Sequence, residues 1–142
     1  MQLFIGGAFS GKRKIVRKQK EQCSWVSAYD GDAVFDWETN WVKGTTLVME
    51  GWEKWIMAEL KINVNNDEIR KKFNTLFQNL LKEEQRRNNE AILVMLEVGK
   101  GIVPLEKNDR RLRDLAGWIG QDATVMANKV NYVWNGLAKR LK

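Results

Sequence analysis

Gln2-Leu3-Phe4-Ile5 runs into Gly6-Gly7-Ala8-Phe9-Ser10-Gly11-Lys12, and Arg13 to Gln22 continues polar and basic without Gly or Pro. A short apolar run ending in two glycines predicts a strand entering a turn. The stretch from Lys12 to Gln22 predicts a helix. Between them the spacing is G-x-x-x-x-G-K, in the strand–loop–helix setting that a phosphate loop requires. Glycines let the backbone curl so that successive N–H groups turn toward phosphate oxygens, and the helix N-terminus adds its dipole. Gly6, Gly7, Ala8, Phe9, Ser10, Gly11, Lys12 and Arg13 are therefore the candidate nucleotide-binding residues, with Lys12 as the point charge on the terminal phosphates. The competing reading is a glycine-rich turn beside a basic helix. The position after the lysine usually holds Ser or Thr, whose hydroxyl helps hold Mg²⁺. Here it is Arg13. Either the arginine supplies charge in place of the metal, or it marks a decayed site.

Outward from this loop, strands alternate with helices. Ser24 to Ala28 and Thr45 to Met49 read as strands, and Trp52 to Leu60 as a helix. Tyr29 to Lys43 reads as loop or irregular. From Asn66 to Arg87, Ile69, Phe73, Leu76, Phe77, Leu80 and Leu81 recur at helical spacing. Ala91 to Leu96 is a continuous apolar run, as in a strand covered on both sides. Arg110 to Lys129 is helical again, and Val130 to Trp134 closes the pattern as a strand ending at Asn135-Gly136. Such alternation predicts one α/β domain over residues 1–142: a mostly parallel sheet with helices on both faces, in three layers. Ligands in such sheets sit at the carboxyl ends of strands, so the loops after Ile5, Met49 and Leu96 are expected to meet on one edge.

Composition narrows the chemistry. The chain has 142 residues, 24 Lys and Arg against 18 Asp and Glu, a net charge of +6, and no histidine. A positive surface favours anionic partners such as nucleotides. Nucleic-acid binding is disfavoured, because the basic residues form no single block and the seven tryptophans interleave with apolar positions, as core residues do. Every mechanism that needs an imidazole from this chain is excluded. One cysteine, Cys23, rules out an intramolecular disulfide and suits a reducing cytoplasm. No apolar run reaches the ~18 residues of a membrane span, and the N-terminus lacks signal-peptide features.

Glu50 ends the apolar run Thr45-Thr46-Leu47-Val48-Met49. Phosphate-loop proteins hold Mg²⁺ with an acid at such a strand end, so Glu50 is the candidate metal ligand. An exposed strand-end glutamate is the plain alternative. Glu97 ends the run Ala91 to Leu96 and could accept a proton or position a hydroxyl. Arg110 and Arg113, one helical turn apart, could grip a phosphate together, or else pair with Asp109, Asp114 or a neighbouring chain.

These motifs together resemble one family. Glu97-Val98-Gly99-Lys100-Gly101-Ile102-Val103-Pro104 is similar to the E-V-G-x-G-I-V-P segment of the adenosylcobinamide kinase / adenosylcobinamide-phosphate guanylyltransferase family. Arg110-Arg111-Leu112-Arg113-Asp114-Leu115-Ala116-Gly117 resembles its R-x-x-R-D-x-x-G segment. Gly6 to Arg13 matches its G-G-A-R-S-G-K-S at six of eight positions. The resemblance implies a RecA-like phosphate-loop fold, a trimer, and ATP or GTP as the nucleotide with a corrinoid as acceptor. It implies phosphorylation of a hydroxyl of adenosylcobinamide, then GMP transfer through a guanylylated histidine. By the resemblance Gly6 to Lys12 would hold the triphosphate, Glu50 the metal, and Glu97, Arg110, Arg113 and Asp114 would lie on the substrate or subunit-interface side; Lys12 and Glu97 are the candidate catalytic residues.

The departures are chemical. Phe9 and Arg13 replace the family's Arg and Ser. The helix that carries its histidine has only Tyr29 to Gly44 in its place, too short and without histidine. Gly120, Asn128 and Lys129 stand where the family has Asn, Asp and Glu. Two functions remain: an enzyme limited to kinase-type transfer to a corrinoid, or a non-catalytic paralogue that binds nucleotide or a protein partner.

Overall fold

Apolar residues on alternate positions of the strands divide the interior into two clusters, one on each face of the sheet. The computed structural model describes residues 1–99 and 104–142. Its strands are β1 (Gln2–Gly6), β2 (Cys23–Ser27), β3 (Thr46–Glu50), β4 (Ala91–Leu96), β5 (Lys129–Trp134) and β6 (Leu137–Arg140). The helices are α1 (Lys12–Gln19), α2 (Trp37–Asn40), α3 (Trp52–Ile62), α4 (Asn66–Arg87) and α5 (Lys107–Met126). The six strands lie in the order β2-β3-β4-β1-β5-β6. β1 to β5 are parallel, and β6 pairs antiparallel with β5.

The chain leaves β1 toward β2 at one edge and later returns across the sheet to β5. Right-handed crossovers in opposite directions place helices on opposite faces. Leu3, Leu47, Met49, Leu93, Met95 and Val130 face α3, α4 and α5 in the larger cluster. Phe4, Val48, Ile92, Val94 and Val133 face the other way, where Val16 of α1 packs. The expected three-layer α/β arrangement is present, with one thick face and one thin.

Local chemistry sets the element ends. Asn65 caps α4 by accepting from the Glu68 N–H at 3.2 Å, and Asn88 ends it in the left-handed conformation. The apolar stripe Ile69, Phe73, Leu76, Phe77 and Leu80 is buried as its spacing predicts. Trp52 lies edge-on to Trp55 at 5.2 Å between ring centres and also packs on Phe73 and Phe77. Those tryptophans serve the core.

Three expectations need correction. The stretch 29–43 is not shapeless: it forms two single 3₁₀ turns and α2, because Val34, Trp37 and Trp41 bury their side chains in the larger cluster. The last helix runs Lys107–Met126 rather than from Arg110 to Lys129, since Lys129 already belongs to β5. The chain does not end its sheet at Asn135-Gly136. Those residues take φ of 47° and 76° and turn the chain into β6, as an Asn-Gly hairpin does. Every side chain of β6 is exposed, so no alternation marked it in the sequence.

Candidate functional site

β3, β4 and β1 are neighbours, so their carboxyl ends lie side by side. The Glu97 N–H donates to the Gly6 carbonyl at 2.9 Å, which fastens the loop after β4 to the loop after β1. In the family-like segment, Lys100, Gly101, Ile102 and Val103 lie outside the described residues.

The loop from Gly6 to Gly11 needs its glycines for two separate reasons. A Cβ on Gly6 would stand 2.3 Å from the Val133 carbonyl oxygen, so β5 leaves no room for a side chain. Gly11 takes φ of 98°, the left-handed region, where it caps α1. The Gly136 N–H donates to the Ser10 carbonyl at 2.7 Å, so the β5–β6 turn clamps the loop. Phe9 sits at the tip, fully exposed, with φ of 55°.

Lys12 reaches back into this loop. Its Nζ donates to the carbonyl oxygens of Gly6 at 3.0 Å and Gly7 at 2.5 Å, and to Ser10 Oγ at 3.3 Å. Burial lowers its pKa from the ordinary lysine value, and the carboxylates of Glu53, Glu50 and Glu97 oppose that shift. The first turn of α1 carries Lys12, Arg13 and Lys14 and no acid. Three cations at the positive end of a helix dipole oppose that dipole, and a bound anion relieves the conflict.

Arg13 meets Glu50. Its Nε donates to Glu50 Oε2 at 2.8 Å and its Nη2 to Oε1. Ser27, opposite Glu50 in the β2–β3 register, donates its hydroxyl to Oε1 at 2.8 Å. Glu50 is 2% exposed. The hydrogen bond to Glu50 raises the Arg13 pKa above its usual value. The guanidinium also lies 5.6 Å from the centre of the Trp25 ring, which Arg17 approaches at 5.3 Å.

Around this pair sit residues that sequence reasoning missed. Tyr29 donates its hydroxyl to Glu53 Oε1. Burial, then that hydrogen bond, raises the Tyr29 pKa far above the usual phenol value. Glu53 Oε2 is buried without a hydrogen-bond partner among the described residues. Tyr132 donates its hydroxyl to Glu97 Oε2 at 2.9 Å. Glu53 had a signal, since it lies in the first turn of α3, three residues beyond Glu50. Ser27, Tyr29 and Tyr132 become visible only through strand order.

The two arginines of α5 are not gathered with Lys12. Arg110 donates through Nη1 to the Pro104 carbonyl at 3.2 Å and to that of Leu105. Arg113 donates to Asp114 Oδ1 through Nε at 3.4 Å and Nη2 at 3.3 Å, one of the two alternatives its sequence allowed. Arg111, which the sequence did not single out, is the structural member of the run. It donates to Asn66 Oδ1 at 3.0 Å and to the Leu60 and Asn63 carbonyls at 2.9 and 2.7 Å, tying α5 to the α3–α4 junction. Beside Glu97, a cavity of about 510 Å³ opens between β4 and α5, lined by Ile5, Leu96, Val98, Ala116, Gly120 and Gln121 among others.

Mg²⁺ does not fit this arrangement as it stands. The ion requires oxygen ligands at about 2.0–2.1 Å in an octahedron. Both Glu50 oxygens are taken by the Arg13 fork, one also by Ser27, and the place of the loop hydroxyl is filled by a cation. Among the described residues no group of three or more His, Cys, Asp or Glu could hold a metal.

The profile of the cobinamide kinase / cobinamide phosphate guanyltransferase family matches residues 32–141. The chain belongs to this family. It is 38% identical over 69 residues to the bifunctional adenosylcobalamin biosynthesis protein CobU of Escherichia coli K12. That stretch is 49% of this chain and 38% of the relative. It is 33% identical over 90 residues to the protein of the same name from Salmonella typhimurium LT2, covering 63% of this chain and 45% of the relative. The matched stretches span less than half of either relative. The matched range of this family member includes Glu50, Glu97 and α5, while Gly6 to Arg13 precede it. Among its described residues, no helix is long and apolar enough to cross a membrane.

Proposed function

We propose that this chain binds ATP or GTP at Gly6 to Arg13 and at most transfers the terminal phosphoryl group to a hydroxyl of a corrinoid. The observation that carries the reading is Lys12. Its ammonium is folded over the Gly6 and Gly7 carbonyls at 3.0 and 2.5 Å, at the head of a helix whose first turn holds no acid. In the transfer, the acceptor oxygen bonds to the γ-phosphorus and the bond from that phosphorus to the β–γ bridging oxygen breaks. The nucleoside diphosphate leaves, and the hydroxyl proton passes to Glu97 at the end of β4. Lys12 and Arg13 provide the positive charge that faces the phosphates. Guanylyl transfer through histidine has no nucleophile in these residues.

The pairing of Glu50 with Arg13 favours a second reading, a non-catalytic family member that binds nucleotide or a partner. Release of nucleoside diphosphate in the presence of a corrinoid separates the two. Nucleotide binding itself is tested by calorimetry with ATP and GTP. Lys12→Ala is expected to weaken binding about tenfold or more, the scale of one lost charge-assisted contact. No heat of binding from the unmutated protein under any metal condition would end this reading.

A further inference from the structure

We propose that the Arg13 guanidinium takes the place of the divalent cation, so that the loop binds its nucleotide as the metal-free anion. This rests on the nucleotide-binding reading above and goes beyond it.

Arg13 follows Lys12 at the head of α1, where a phosphate loop offers a hydroxyl to the metal. The metal normally stands between that hydroxyl, the acid at the strand end and the phosphates. Here the strand-end acid is Glu50, and what stands against it is the guanidinium. Glu50 is buried, and a buried carboxylate without a counter-charge is costly. Arg13 supplies both the charge and two parallel hydrogen bonds, and Ser27 supplies a third. A magnesium ion at Glu50 would have to displace the fork and then sit beside two cations, Arg13 and Lys12, while Glu53 and Glu97 already act on Lys12.

The guanidinium is built to bridge. It is planar and presents separate edges to separate partners. One edge is spent on Glu50, and its Nη1 group lies outside that fork. The Trp25 ring backs it at 5.6 Å, and Ser27 holds the carboxylate from the β2 side. The two ends of the pair differ in access: the Glu50 side chain is 3% exposed, that of Arg13 47%. Acid, cation and solvent-facing donor thus succeed one another from the sheet outward, as acid, metal and phosphate would. A Mg²⁺ carried in on the phosphates would meet this fixed cation directly, and like charges in contact repel.

Calorimetry with ATP, in EDTA and in magnesium at matched ionic strength, tests the idea. The unmutated protein should bind ATP in EDTA at least as tightly as in magnesium. Arg13→Ser should reverse the order, binding about tenfold tighter in magnesium. Arg13→Lys, which keeps the charge but not the fork, should bind weakly in EDTA and gain nothing from magnesium. Circular dichroism checks that both variants fold, and the unmutated protein alone already decides if they do not. Tenfold tighter binding by the unmutated protein in magnesium overturns the proposal and leaves the nucleotide reading standing. No binding in either buffer removes both.

Discussion

Residues 1–31 and residues 32–141 contribute to the site in different ways. The first stretch holds the loop, Lys12, Arg13 and Ser27, and lies outside the family match. The second carries the match, and three of its acids, Glu50, Glu53 and Glu97, act on Lys12. Its arginines Arg110 and Arg113 are engaged locally, and Arg111 and Asp122 hold α5 in place. The matched range takes in α5 and the ends of β3 and β4. The proposed anion site rests on a short loop whose geometry can be read without any relative. The contrast has a physical origin. Helix docking constrains many residues weakly, whereas a phosphate loop constrains a few residues by hard contact.

That contrast is sharpest at the first glycine. Gly6→Ala puts a methyl group 2.3 Å from a backbone oxygen of β5 and 3.0 Å from Ser10 Oγ. Neither β1 nor β5 can move without breaking the parallel ladder between them. A loss of about 3 kcal/mol in urea-denaturation stability is expected, at the top of the range for overpacked sites. Gly7→Ala is the control, since a Cβ there meets nothing within 4 Å. It should cost less than about 1 kcal/mol. Equal losses at both positions would mean that the loop is not held against β5.

Much of this was legible in the sequence, and the reasons differ from place to place. The α4 boundaries were readable because Asn65, Asn88 and five buried apolar residues all agree. β4 was readable as an unbroken apolar run covered on both faces. β6 was not, because an exposed edge strand has no inner face to impose a pattern. In the site, Gly6 to Lys12 announced themselves by local spacing. The partnership of Arg13 with Glu50 could not be read, because it joins α1 to β3 across the sheet and depends on strand order. Arg110 and Arg113 share a helix face, but the groups they meet are Pro104, Leu105 and Asp114 rather than the loop.

The two stretches can be separated by their effect on nucleotide affinity. Arg110→Ala and Arg113→Ala should each leave the calorimetric affinity for ATP within about twofold, since among the described residues the hydrogen bonds of both side chains go to Pro104, Leu105 and Asp114 rather than to the loop. Against the tenfold loss expected for Lys12→Ala, the difference exceeds about 1 kcal/mol. A tenfold loss from Arg113→Ala would show that α5 closes on the nucleotide. The two stretches would then form one site rather than a loop and its scaffold.

The smallest effect concerns how α5 is held. Arg70 of α4 donates through Nε and Nη2 to the two oxygens of Asp122 at 2.7 and 2.8 Å, and its guanidinium lies 6.0 Å from the Trp118 ring centre. These hydrogen bonds lower the Asp122 pKa from its ordinary value of 3.8, against a smaller opposing effect of burial. The unfolded chain therefore binds the proton more readily than the folded one. The resulting stability is fully present above pH 3.8 and is lost as pH falls through the folded-state pKa. The Arg70 side chain is 38% exposed, so solvent screens the pair. Asp122→Asn should cost about 1 kcal/mol at neutral pH. The gap between variant and parent should narrow as the pH of urea denaturation is lowered below 3.8. Binding of ATP should stay unchanged, because the pair belongs to the scaffold of the second stretch. A gap that persists undiminished in acid would mean that Asp122 acts through shape, with the charge on Arg70 contributing nothing.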